Sequence, residues 1–329
     1  MGCLQLWDGW SIVETIEDVV RPCGLVVARF GVTARSDDGV LVCGSAAATS
    51  GDVAARGHGE LRERAAIIDA LRVPTDTVTL VDREHRTRTV ADWATVYPES
   101  PTPGHWGYSK SNGVALSTTW SGACDRAATE LIERDRVLRS WFGLPGAPSR
   151  RTLSTRDSGR LPGYEWKYLE LVDEGSETHV VVVVGFPQVE GLPLVRGFGA
   201  GASAREAAER ADQECLQSIG FLGASDVPED EPAVAPNPTY HLDAYLWPGA
   251  VVSLRRWMDP STDALRRPAV RRELLRREAI AYVDITPKPL EGAAFVAKAV
   301  CVDAVPLVFG DSHPDLLGPQ VGVPVHPLA

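Results

Sequence analysis

Five consecutive valines inside "THVVVVVGF" (178–186) constrain the fold more than any other stretch of this chain. A strand with one face in water alternates apolar and polar residues, because successive side chains point to opposite faces. An unbroken apolar run predicts instead a central strand covered on both sides. Further β-rich runs stand at "TVTLVDR" (77–83) and "EWKYLELV" (165–172). Between the strands lie Ala-rich, charge-bearing stretches at 53–72, 121–142 and 203–219 that read as helices. The expectation is a mixed α/β (α+β) fold, with sheets packed against helices.

At 329 residues and 44% hydrophobic content the chain can bury a large core, and residues 1–329 are expected to form a single domain. Two segments read as loops, 143–163 and the acidic, Pro-rich 223–241, and neither resembles a linker between independent domains. "RRELLRREAIAYVDITP" predicts a basic helix followed by a strand ending near Asp284 and Thr286, and the tail "GVPVHPLA" should be extended. A net charge of -11 leaves no whole-chain footprint for nucleic acid, so an anionic ligand would have to be gripped locally. The six cysteines are far apart with no Cys-x-x-Cys spacing, which argues against zinc or a redox pair. No window approaches a membrane span, no basic segment leads into an apolar run, and Leu6 breaks the acylation pattern of "MGCLQL". The protein is therefore expected to be cytoplasmic.

The chemistry-bearing pattern is a repeated pair of glutamates. "GELRER" carries Glu60, Glu63 and Arg64; "TELIERDR" carries Glu130, Glu133 and Arg134; a looser copy holds Arg210, Glu214 and Gln217. Residues three apart on a helix project from nearly the same face, so each pair offers two carboxylates to one point. That arrangement suits a hard cation, since magnesium takes oxygen ligands and bridges a few carboxylates to substrate phosphates. An adjacent arginine can grip the phosphate oxygens. A single copy reads first as an ordinary solvated helix face; in "AATELIERDR" the flanking Ala127, Ala128, Leu131 and Ile132 favour a buried helix, where carboxylates need partners.

The stretch from Ser111-Asn112-Gly113 through "ELIERD" resembles the YcaO family, in which a Ser-Asn-Gly turn precedes such a helix. The resemblance extends to "GELRER", to the Gly-rich turn and helix of "GFGAGASAREAAERADQECLQ", and to the Asp-apolar-Thr strand of "AYVDITP", over roughly residues 25 to 329. It implies a YcaO-like fold whose helices converge on a nucleotide site, with ATP and Mg2+ used to activate a backbone amide of a ribosomally made precursor peptide. By motif, Glu60, Glu63, Glu130 and Glu133 would be metal ligands and Arg64, Arg134 and Arg210 would contact phosphates. Ser111, Asn112, Glu214 and Gln217 would complete the pocket. Azoline formation from Cys, Ser or Thr is the first expectation, with an E1-like or similar partner protein presenting the leader peptide; a homodimer is left open.

The sequence also departs from the family pattern. Gly122 stands where many members carry a glutamate, and Ser45 where a lysine is common. The terminal Pro-x-Pro-x-Pro of azoline-forming members is reduced to Pro324 and Pro327, so that Ala329, whose carboxylate would serve as a base, is the weakest of the assignments. The rival readings are thioamide or amidine formation, and a non-catalytic scaffold that binds nucleotide or peptide. Of the histidines, His58 and His179 read as core or surface residues and His326 draws notice through its place in the tail. The basic run from Arg266 to Arg277 reads as a solvated helix face and the nine tryptophans mainly as core.

Overall fold

The computed structural model describes residues 5–100, 104, 106–144, 146–154, 161–261, 275–310 and 325–328. In chain order the first elements are β1 (Gln5–Trp7), β2 (Trp10–Val20), β3 (Val27–Ser36), β4 (Leu41–Ala48), α1 (Val53–Arg72), β5 (Thr77–Val81), β6 (Thr87–Asp92) and α2 (Trp93–Val96). Then follow β7 (Trp106–Tyr108), β8 (Val114–Ser117), α3 (Trp120–Phe142), β9 (Ser149–Thr152), β10 (Tyr164–Val172), β11 (His179–Pro187), β12 (Val195–Gly201) and α4 (Ala204–Phe221). The chain continues with α5 (Pro238–Leu246), α6 (Val251–Trp257), β13 (Ala281–Asp284), β14 (Phe295–Val300) and β15 (Val308–Gly310). The result is a mixed fold of helices and antiparallel sheets, as the sequence pattern implies.

Two compact units share these elements. The first takes Met1–Tyr97, Lys110–Leu131 and Arg277–Val302. Its first sheet runs β1-β2-β3-β4, and α1 packs across β3 and β4 through Leu61, Ala65 and Ala66, which are buried with Phe30 and Val32. Asp52 starts α1 by accepting a hydrogen bond from Ala55 N at 2.8 Å, satisfying one of the helix's unpaired amides. The second sheet of this unit has the order β6-β5-β13-β14-β8.

The second unit takes Pro98–Ser109, Ile132–Arg276 and Asp303–Ala329. Its main sheet runs β12-β11-β10-β9, and β11 carries the valine run. Val180, Val182 and Val184 enter one buried cluster while Val181 and Val183 enter another with Ala207, Ala211 and Cys215 of α4. The run is thus covered on both faces, for the reason its composition implies. The last turns of α3 bury Asp135, Arg136 and Arg139, whose charges are met locally: Asp135 accepts from Arg139 Nε and from Val305 N, each at 2.8 Å.

Two expectations are corrected, one by distant pairing and one by a local helix cap. The presumed loop 143–163 contains β9, which is recruited as an edge strand against Leu169–Val172, and 223–241 contains the start of α5, capped by Asn237 on Tyr240 N at 2.9 Å. Residues 262–274, which hold most of the basic run, lie outside the described residues, as does Ala329. No described helix is long and apolar enough to cross a membrane.

Candidate active site

Gly44 decides how closely α1 sits on β4. A Cβ there would fall 2.1 Å from Gly57 O and 2.5 Å from Leu61 N, so only glycine admits the helix backbone. The close approach puts Glu60 within reach of the strand, and Ser45 N donates to Glu60 Oε2 at 2.7 Å. The other oxygen pairs with Arg64 at 2.5 Å, and Arg64 also donates to Cys43 O at 2.8 Å. Ser45, standing in the lysine's place, therefore orients Glu60 through its backbone.

One turn on, Glu63 leaves the first sheet for the second. Its Oε1 accepts from Leu116 N of β8 at 2.6 Å, while Arg126 of α3 donates to Leu116 O at 2.9 Å. Burial pushes the Glu63 carboxyl from its ordinary 4.5 to about 7; the Leu116 amide and Arg126 oppose that shift, and the neighbouring carboxylates Glu130 and Glu60 add to it. The structure of the first unit thus brings Glu60, Glu63 and Glu130 into one electrostatic field. Arg126 was missed in the sequence, although its place four residues before Glu130 on the same helix was a usable signal.

Carboxylates held together, with one of them driven toward protonation, are short of positive charge. A hard divalent cation would supply it and release the proton. Among the described residues no group of three or more His, Cys, Asp and Glu side chains encloses a metal position by itself. Asn112 adds a second sign: its Oδ1 is buried without a hydrogen-bond partner, and such an acceptor calls for a donor from a bound group. Lys298 fixes the Asn112 turn by donating to Asn112 O at 2.6 Å and to Lys110 O at 3.4 Å. Ser111 beside it is exposed. The residues of this unit therefore fit a magnesium-nucleotide group.

The second unit repeats the strand-to-helix device. A Cβ on Gly197 of β12 would lie 2.0 Å from Ala211 O and 2.9 Å from Cys215 N, matching Gly44 against Gly57 O and Leu61 N. The next residue, Phe198, donates its N–H to Glu214, as Ser45 does to Glu60. The position one turn further is Gln217, so the copy of Glu63 is neutral. Arg210 pairs with Glu206 at 2.7 Å. Glu133 and Arg134 are half-buried on α3, and the Arg134 charge contributes to holding the His326 pKa well below its usual range, after burial and His241.

The tail that precedes Ala329 is anchored in this unit. Arg196 donates to Pro327 O and Tyr245 OH to Val325 O. His241 Nδ1 donates to His326 O at 3.1 Å and its Nε2 accepts from Gly310 N at 3.0 Å, which defines a neutral ring. His326 Nε2 donates to Val308 O at 2.5 Å. His58 rests against Phe30, and His179 pairs with Glu170 at 2.9 Å. At the described end of the basic run, Arg276 reaches Asp173 at 3.2 Å and Arg277 donates to Thr129 Oγ1 at 2.6 Å.

Comparison with known proteins closes the question of family. A search of curated protein sequences finds no match. Among solved structures the chain is similar to one of the E. coli Microcin synthetase McbBCD complex, with TM-score 0.56 and 12% identity over 89% of this chain and 88% of that one. It is also similar to a chain of the same complex with pro-MccB17 bound, with TM-score 0.59 and 12% identity over 92% and 91%. The family described as YcaO cyclodehydratase, ATP- and Mg2+-binding, matches residues 60–301, beginning at Glu60 and taking in Glu130, Glu214 and the Asp284 strand. The chain belongs to the YcaO family and is a cyclodehydratase-like enzyme of that family.

Proposed function

We propose that the protein uses ATP and Mg2+ to activate a backbone amide of a ribosomally made precursor peptide, closing a Cys, Ser or Thr side chain onto the preceding carbonyl to give an azoline. Residues 1–329 act as one YcaO-like domain in this reading. The observation that carries it is the placement of the carboxylates: Ser45 N holds Glu60 at 2.7 Å and Leu116 N holds Glu63 at 2.6 Å, and Glu63 lies in the field of both Glu60 and Glu130. The bound pro-MccB17 of a solved relative supports a peptide as the substrate class.

When bound, magnesium-ATP supplies a transferable phosphoryl group and offsets its charge, turning the poorly leaving amide oxygen into a good leaving group. The chain's own residues hold and orient it. Glu60, Glu63, Glu130 and Glu133 would take the metal. Arg64 and Arg210, each now paired with a helix neighbour at an exposed site where the pair is weak, can turn to phosphate oxygens, with Arg134 beside them in role. Ser111, Asn112, Glu214 and Gln217 line the nucleotide. A leader-presenting partner protein delivers the peptide. The test is calorimetric titration of magnesium-ATP into the wild type and into Glu130→Gln and Glu133→Gln, followed by mass spectrometry for loss of one water from a peptide supplied with the partner. Nucleotide binding lost in both variants is expected; a wild type that binds no magnesium-ATP would end this reading.

A further inference from the structure

The Asp-apolar-Thr strand that the sequence singled out has no part in the site above, yet it lines the cavity of about 650 Å3 in the first unit. The cavity lies where two neighbouring strands make a single ladder pair. β5 and β13 are registered at one pair, Tyr282 with Val81. Continued in the same register, the ladder would next oppose Asp284 to Thr79, and that pair is not made. Parity shows which backbone groups face the gap. Trp93 N donates to Asp76 O and Asp82 N to Arg86 O, so the even-numbered residues of β5 bond toward β6 and Thr79 points the other way. Ile285 N donates to Val296 O, so the odd residues of β13 bond toward β14 and Asp284 points into the gap. The lining combines Val78, Val81, Val283 and Phe295 with Thr79 and Thr286.

An opening between parted strands, presenting backbone groups in ladder register, is complementary to an extended chain. The rim sets its charge. Asp284 is already paired with His85 at 3.1 Å, whose ring packs at a tilt against Trp120, while Glu291 stands exposed beside the cavity with no salt bridge among the described residues. The slot is also close to the chemistry: Val296 N donates to Thr286 Oγ1 at 2.9 Å, Val296 faces Leu116 in register, and Leu116 N bonds Glu63. Two inter-strand steps, about 10 Å, separate them.

We infer that the gap between β5 and β13 is a peptide slot, in which an extended segment of the precursor peptide adds as a strand, with an apolar side chain on Val81 and Phe295, which share one face of the sheet, and a cationic one toward Glu291. This rests on the peptide-modifying reading proposed above. Its test uses the full chain and a fluorescein-labelled heptapeptide of alternating lysine and valine, with a copy N-methylated at every second amide, which keeps the side chains and loses the ladder. Anisotropy should show saturable binding of the first and at least tenfold weaker binding of the second. Hydrogen exchange should slow in segments 77–81 and 281–286 on peptide addition. Thr79→Pro, which removes a gap-facing N–H and leaves the β5-β6 ladder intact, should weaken binding at least tenfold, and the exposed Glu291→Lys severalfold. Equal binding of the methylated copy, or no saturation at about millimolar peptide, overturns the slot. Magnesium-ATP titrated into the same samples separates the two readings: a protein that binds nucleotide and not peptide loses the slot alone, and one that binds peptide and not nucleotide keeps the slot and loses the nucleotide reading.

Discussion

Replacing Glu63 by Gln should make the ligand-free protein more stable at alkaline pH while removing its response to magnesium-ATP. The folded carboxyl titrates at about 7 against an ordinary 4.5, so the native state binds this proton more tightly than the unfolded chain. Its contribution to stability is therefore full below about pH 4.5 and is lost as the pH rises through about 7. At 1.36 kcal/mol per pH unit the span amounts to about 3 kcal/mol, and water reaching the half-buried group reduces that to about 1–2 kcal/mol. Glutamine keeps an oxygen for the Leu116 amide and never ionises. Urea and thermal midpoints of both proteins at pH 4 and pH 8 should thus show little difference in acid and a variant that melts about 2–4 °C higher in base. Added magnesium-ATP should raise the wild-type midpoint and leave the variant's unchanged. A variant destabilised equally at both pH values would refute the reasoning, because Glu63 would then be a latch for β8 and nothing more.

Gly197→Ala places a methyl 2.0 Å from Ala211 O, a backbone atom that cannot swing aside, and should cost about 3 kcal/mol or more in denaturant midpoint. Arg196→Met leaves the Pro327 and His241 carbonyls without their donor; a loss of about 3 kcal/mol and early proteolytic trimming of the C-terminus are expected. Burial pushes His241 down from 6.5 to about 4, so the unfolded state binds the extra proton and stability falls as pH drops through that window, by about 2 kcal/mol between pH 7 and pH 5. Ring NMR should then find His241 still neutral at pH 5; a charged ring there would contradict the assigned bonds.

Local patterns read well from this chain where the physics was local. The helix at 53–72 was legible because its cap, its small residues and its length all lie within it, and it forms over Val53–Arg72. The three-residue spacing put the glutamates on the helices, and the structure then sends Glu60 to Ser45 of β4 and Glu63 to Leu116 of β8. β9 was not, because "SRRT" is polar and becomes a strand only by pairing with Leu169–Val172. Arg126 went unnoticed because its role passes through the Leu116 carbonyl, a backbone group that no side-chain motif encodes. The duplicated device was equally hidden: Gly44 and Gly197 share a task, yet the residues around them share little identity beyond Glu60 and Glu214.

The sequence by itself determined the doubly covered valine strand, the principal helices and the carboxylates they carry, because periodicity and composition act over a few residues. Only the tertiary structure decided that Glu63 would share its field with Glu130 and lose its ordinary acidity, and that β5 and β13 would part after one pair. Those outcomes depend on burial and on hydrogen-bond partners more than 50 residues away along the chain, distances over which a linear pattern carries no information about which groups meet.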